Sequence, residues 1–273
     1  MNPYRVLNSE PSIPVLANIP HAVALIPPEY GDQFVLTAAE LEAEQRAIVD
    51  WFTDELYQPI VSAGGCALIA GVSRLLVDTE RFADDEQEVM ARRGVGVIYE
   101  RTTRQARLRR PLTGDERAVL LQRFYEPYHA EMAALVQGIV NRFGRCVILD
   151  CHSFPAKALP YELTPDADRP AICLGTDPNH TPESLVTRLE TITAGFGWRC
   201  ARNTPFAGTI VPLQLWGDER VSSVMLEVNR GLYMDEATTT RAAGFPEVVG
   251  WVDEVIQGVV EWDRGRSHDY NAR

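Results

Sequence analysis

The stretch CVILDCHSFP, residues 146–155, constrains this chain more than any other. It follows a long segment, 113–143, whose apolar residues recur at helical spacing and which opens with Thr113 and Glu116 in a capping-box pattern. Pro127 predicts a kink in that helix and Gly144 a helix stop. A continuous apolar run after such a helix reads as a strand buried on both faces, as in a parallel sheet. Its end is unusual, because Asp150, His152 and Ser153 follow the apolar residues directly. In open α/β sheets ligands gather at carboxyl ends of strands, so His152 reads either as a turn residue or as a catalytic or metal-binding histidine. Strand alternation turns Cys151 the other way, toward the core, and argues against its use as a nucleophile.

The rest of the chain repeats the pattern. GGCALIAGVS, AICLG and VSSVMLEVN read as strands, and RLLVDTER as a further apolar run ending in charge. Residues 38–62 carry Leu41, Ile48, Trp51, Phe52 and Leu56 at helical spacing behind a Thr37–Glu40 capping box, which predicts one helix. SLVTRLETITAGF and FPEVVGWVDEVIQGVVEWDRG predict two more, while VALIP reads as a short strand or a loop. Alternating strands and helices predict a three-layer α/β/α sandwich around a mixed, mostly parallel sheet. With no Gly/Ser linker and no repeat, residues 1–273 read as a single domain, and the arginine-rich segment 84–112 as a surface excursion or lid.

Composition excludes several classes. Lys and Arg number 26 against 38 Asp and Glu, a net charge of −12, which argues against nucleic acid as a partner. No apolar run is long enough for a membrane span. The N-terminus lacks a basic stretch followed by an apolar one, and the five cysteines form no CxxC pair. A cytoplasmic protein without a signal peptide is expected.

Three strand ends carry chemistry: His21 in NIPHA, His152 in VILDCHS, and Glu227 with Arg230 in VMLEVNRG. Each has an ordinary reading, as a turn histidine or a structural ion pair. Together they suit a metal hydrolase, which needs imidazole and carboxylate ligands, an open position for water and a carboxylate base.

IPHA, VDWFTDELY, SRLLVDTER, VILDCHSFP, NTPFAGTIVP and VMLEVNRGLYMDE, in that order, resemble motifs of the N-formylglutamate amidohydrolase family, zinc-dependent deformylases related in fold to zinc carboxypeptidases and aspartoacylases. The resemblance spans about residues 18–236. It implies one Zn2+ per chain held by His21, Asp50 and His152, with Glu29 as the fallback for the third ligand. It implies Glu227 as general base toward a zinc-activated water, and Arg81 at the scissile carbonyl or on substrate. Arg74 and Arg230 are implied for substrate carboxylates. The implied partner is a small anionic N-formyl or other N-acyl amino acid such as N-formylglutamate. The family commonly reads PHAG or PHSG and DLNR where this chain has PHAV and DTER. A second reading is therefore a binding module that kept the fold and lost the chemistry, and a third is a Cys151–His152 thiol hydrolase. The sequence carries no indication of oligomeric state.

Overall fold

The computed structural model, which describes residues 2–165 and 168–270, turns the four expected runs into strands and adds three more: β1 (Tyr4–Leu7), β2 (Val15–Ile19), β3 (Cys66–Ala70), β4 (Cys146–Phe154), β5 (Ile172–Gly175), β6 (Cys200–Arg202) and β7 (Val221–Asn229), of which β3, β4, β5 and β7 are the expected ones. They form one seven-stranded sheet of order β1-β3-β2-β4-β7-β5-β6. β2 runs parallel to β3 and β4, β4 to β7, and β5 to β6, whereas β1–β3 and β5–β7 are antiparallel. Parallel β2, β3, β4 and β7 therefore end at the same edge of the sheet. A two-stranded hairpin, β8 (Met234–Asp235) with β9 (Thr240–Arg241), lies outside it.

Helices cover both faces, giving the expected three layers. On one face α5 (Glu126–Phe143) lays Tyr128, Met132, Val136 and Ile139 on Leu16, Leu68 and Ile148. On the other, α6 (Glu183–Gly195) and α7 (Phe245–Tyr270) bring Leu185, Leu189, Trp251 and Val255 against Val15, Ala17, Leu149, Val224 and Leu226. Each fully buried aliphatic side chain here contributes about 1.5–3 kcal/mol. No described helix is long and apolar enough to cross a membrane.

Both predicted capping boxes are present: Thr37 heads α1 (Ala38–Ile48) and Thr113 heads α4 (Gly114–Leu120). A π-helical turn, Leu121–Tyr125, joins α4 to α5 immediately before Pro127, whose missing N–H interrupts the regular ladder. Gly144 takes the left-handed conformation, φ 76°, that closes α5.

The single helix expected over 38–62 is a correction. Val49 is extended and Phe52 left-handed, φ 66°, so the chain breaks after α1 and resumes as α2 (Thr53–Leu56) and α3 (Gln58–Ser62). The apolar spacing persists because Trp51, Phe52 and Leu56 still pack against the core. VALIP and RLLVDTER form no strand. Instead Leu75, Leu76 and Val77 join Val95, Val97, Tyr99 and Leu108 of the 84–112 segment in a separate apolar cluster with Ile48 and Phe124.

Candidate active site

The break at 49–52 delivers Asp50 to the sheet edge. Asp50 N–H donates to the His21 carbonyl at 3.0 Å, and the Thr53 hydroxyl donates to the Asp50 carbonyl at 2.7 Å. The Asp50 carboxylate then lies between two imidazoles. Its Oδ2 is 3.6 Å from His21 Nδ1 and 3.3 Å from His152 Nδ1, and the ring centroids are 5.0 Å apart. The three residues predicted as ligands thus converge from positions 21, 50 and 152.

Each imidazole has its other nitrogen on a second carboxylate. His21 Nε2 is 2.8 Å from Asp78 Oδ1, and His152 Nε2 is 2.9 Å from Asp150 Oδ1. Such carboxylate–histidine pairs fix the ring and leave the inward nitrogen for a metal. Asp78 is itself saturated, accepting from Arg74 Nε and Nη2, from the Tyr99 hydroxyl at 2.7 Å and from Glu80 N–H. Burial opposes its charge, but Arg74, His21 and Arg81 hold its carboxyl well below the usual range. Burial likewise opposes the charge of Asp50, and hydrogen bonds with His152 and His21 and the Arg230 charge hold it low.

Among the atoms buried at this edge without a hydrogen-bond partner are His21 Nδ1 and Glu227 Oε2. An orphaned imidazole nitrogen facing a carboxylate oxygen and a second imidazole nitrogen is a two-nitrogen, one-oxygen donor set, and it fits a divalent transition metal. A second grouping, Glu80, Asp150 and His152, also has its atoms close together. Three of its four carboxylate oxygens are engaged, however: Asn18 Nδ2 donates to Glu80 Oε1 and Asp150 Oδ1, and Ile210 N–H to Asp150 Oδ2. The unsatisfied atoms favour the His21–Asp50–His152 group.

Glu227 sits beside His152, because β4 and β7 pair them directly in register. Burial pushes its carboxyl up to about 8, helped by Asp50 and opposed by His152, Arg74 and Arg230. Cys151 points to the opposite face, among Leu149, Leu226 and Trp251, and burial raises its thiol far above the ordinary range. A thiol nucleophile has no support here. Glu29 is also remote from the cluster, pairing with Arg123 at 3.1 Å on the surface.

The three arginines differ. Arg230 donates to Asp50 Oδ1 at 2.9 Å and to the Ala47 carbonyl at 2.8 Å, with Nε 3.3 Å from the Ser153 hydroxyl. Arg74 is spent on Asp78, with Asp50 3.7 Å away. Both are buried clamps on the carboxylates. Arg81 is 21% exposed, its nearest carboxylate oxygen is 4.0 Å away, and its Nε has no partner. Burial would weaken its charge, but Asp78 raises its pKa, so it stays cationic.

The residue reading passed over Asn18, Asp78 and Tyr99, and noted Asp150 without giving it a role; these four hold the cluster. Asn18 and Asp150 carried a usable signal, a polar side chain within an apolar strand, the same signal that marked Glu227. Tyr99 carried none, since it belongs to a segment without periodicity.

A mixed α/β sheet presenting two imidazoles, a carboxylate and a buried glutamate at one edge is the scaffold of a metal-competent hydrolase. The chain belongs to the N-formylglutamate amidohydrolase family, whose model matches residues 13–234. It is 27% identical over 268 residues to an N-formylglutamate deformylase of Pseudomonas aeruginosa, covering 93% of this chain and 95% of that one. Another N-formylglutamate deformylase, from Pseudomonas putida, is 26% identical over 235 residues, 82% of this chain and 83% of its own length. The crystal structure of an N-formylglutamate amidohydrolase from Ralstonia eutropha superposes with a TM-score of 0.85 at 27% identity, covering 97% of this chain and all of that one. An Agrobacterium tumefaciens gene product shares the fold, with a TM-score of 0.69 at 17% identity over 95% of this chain and 96% of its own.

Proposed function

We propose that this protein hydrolyses the formyl amide of an N-formyl amino acid bearing a free carboxylate, N-formylglutamate being the leading candidate. The cofactor is one Zn2+ per chain, with His21, Asp50 and His152 as its ligands. The observation that carries this reading is the convergence of His21 Nδ1, His152 Nδ1 and Asp50 Oδ2 beside the unpartnered Glu227 carboxyl, in a chain of an amidohydrolase family.

The zinc would supply a Lewis acid that polarises the formyl carbonyl and lowers the pKa of a water. The chain's own groups do the rest. Glu227 takes a proton from the attacking water and later delivers it to the amine nitrogen of the leaving amino acid. Burial pushes its carboxyl up to about 8, and a neighbouring cation would draw it lower, toward the range where both protonation states serve at neutral pH. Asp78 and Asp150 keep the imidazoles oriented, while Arg230 and Arg74 keep the Asp50 and Asp78 carboxylates ionised and in place. Arg81, cationic and with donors to spare, binds the substrate carboxylate through a charge-assisted pair. Glu80 does not counter it: its Oε1 turns to Asn18, and burial and Asp150 push its carboxyl up to about 8. We further propose that residues 1–273 act as one domain and that segment 84–112 covers the site, with Tyr99 as its anchor on Asp78.

Formate release from N-formyl-L-glutamate, other N-formyl amino acids and N-acetyl-L-glutamate tests the reading. Turnover of a formyl substrate that stops with a chelator and returns with zinc is expected. Turnover insensitive to chelators, or confined to substrates without a carboxylate, would contradict it.

A further inference from the structure

Asn18 is fully buried in the middle of the sheet, paired in register with Asp150. Its Nδ2 donates to Glu80 Oε1 at 2.7 Å and to Asp150 Oδ1 at 2.9 Å, and its Oδ1 accepts from the Tyr128 hydroxyl at 2.5 Å. Both amide protons are therefore used. The Tyr128 hydroxyl on Oδ1 fixes which end of the amide meets the carboxylates. Neither Asn18 nor Tyr128 takes part in the chemistry above.

What Asn18 touches is the carboxylate behind a ligand. Asp150 Oδ1, which accepts from Asn18, is the same oxygen that holds His152 Nε2, and Glu80 Oε2 lies 3.9 Å from that nitrogen. Two buried carboxylates thus compete for one imidazole edge. The amide between them keeps Glu80 back and aims Asp150 at Nε2. Without it, Glu80 is free to pull the ring aside, and Nδ1 leaves its line to Asp50.

We propose that Asn18, oriented by Tyr128 and bridging Glu80 to Asp150, is a positioning residue that holds the His152 ring with Nδ1 toward Asp50, and so sets the metal affinity of the cluster. This rests on the reading of His21, Asp50 and His152 as the metal ligands.

The test is zinc affinity of the full chain, stripped of metal, in competition with a chromophoric chelator. Asn18→Ala should bind zinc about 10-fold more weakly, the low end of the range for losing a ligand's own partner, since Asn18 acts through Asp150. Tyr128→Phe should weaken it in the same direction by less. Glu80→Gln in the Asn18→Ala background should restore much of the loss, since the new amide can donate to Asp150 in place of Asn18. A merely structural Asn18 would show no such rescue, and its absence would overturn the proposal. Unchanged affinity in Asn18→Ala would overturn it while leaving the metal cluster standing. A wild-type chain that binds no zinc would instead remove the cluster reading and the proposal together. Should Asn18→Ala fail to fold by circular dichroism, Tyr128→Phe carries the test, and unchanged affinity there would overturn the proposal.

Discussion

Glu227 occupies an apolar strand with one carboxylate oxygen unpartnered, a costly placement unless the group works. Glu227→Gln keeps the shape and removes the proton acceptor. Its turnover should fall by about 10²–10⁴-fold while the metal stays bound, which elemental analysis of the same preparation checks. Arg81 makes a second claim at this scale. Arg81→Ala should lower kcat/KM for an N-formyl amino acid by about 10–100-fold, the worth of a charged hydrogen bond, and much less for its neutral amide. Equal losses on acid and amide would move Arg81 from the carboxylate to the scissile carbonyl or to the framework. His152 and Glu227 were legible from the residues alone because each interrupts an apolar run. Asp50 was legible only through the family motif, since nothing in its neighbours' spacing marks it. The burial of Arg74 and Arg230 was not legible, because an arginine beside a site looks the same in sequence whether it faces substrate or clamps a ligand.

The decisive element is the break between α1 and α2. Periodicity extended one helix straight through 49–52, and it did so because the broken chain still buries the same apolar side chains. What periodicity cannot register is a left-handed residue, here Phe52, stabilised by tertiary packing against Phe245, ring centroids 6.1 Å apart. Strands β3, β4, β5 and β7 and both capping boxes were read with less difficulty, since they are local patterns, whereas the short β1 and β6 at the sheet's two edges were not read. The break has a consequence. Thr53→Val removes the shorter of two hydrogen bonds to the Asp50 carbonyl and leaves the backbone N–H of residue 53 at 3.2 Å, without changing side-chain size. A cost of about 0.5–1.5 kcal/mol for the lost hydrogen bond should appear in urea denaturation of the metal-free protein. No loss of stability would show that the turn does not depend on this bond.

Across the whole molecule, the fold class was legible because alternation of buried strands and amphipathic helices leaves few alternatives, whereas the cluster built from 72–77 and 95–108 was not, being assembled from segments without a period. Long-range packing also sets a pH response. His129 of α5 packs against Tyr125, with Nε2 3.0 Å from the Thr79 carbonyl, and burial pushes its imidazole down to about 4 from an ordinary 6.5. A depressed folded pKa means that the unfolded chain takes up the proton first. The contribution is fully present above about 6.5 and is lost as pH falls toward 4. His129→Gln keeps a donor for Thr79 without the titration, so its urea midpoint should fall less than that of the wild type between pH 6.5 and 4. Parallel curves would show that His129 does not carry this response.

The central claim is that His21, Asp50 and His152 hold a zinc ion beside Glu227. Elemental analysis of protein purified under metal-replete conditions tests it most directly, on the wild type, His152→Ala and Glu227→Gln side by side. The account predicts about one zinc per chain in the wild type and in Glu227→Gln, and little or none in His152→Ala. A wild-type chain without metal, or a His152→Ala variant that keeps its full complement, would contradict it.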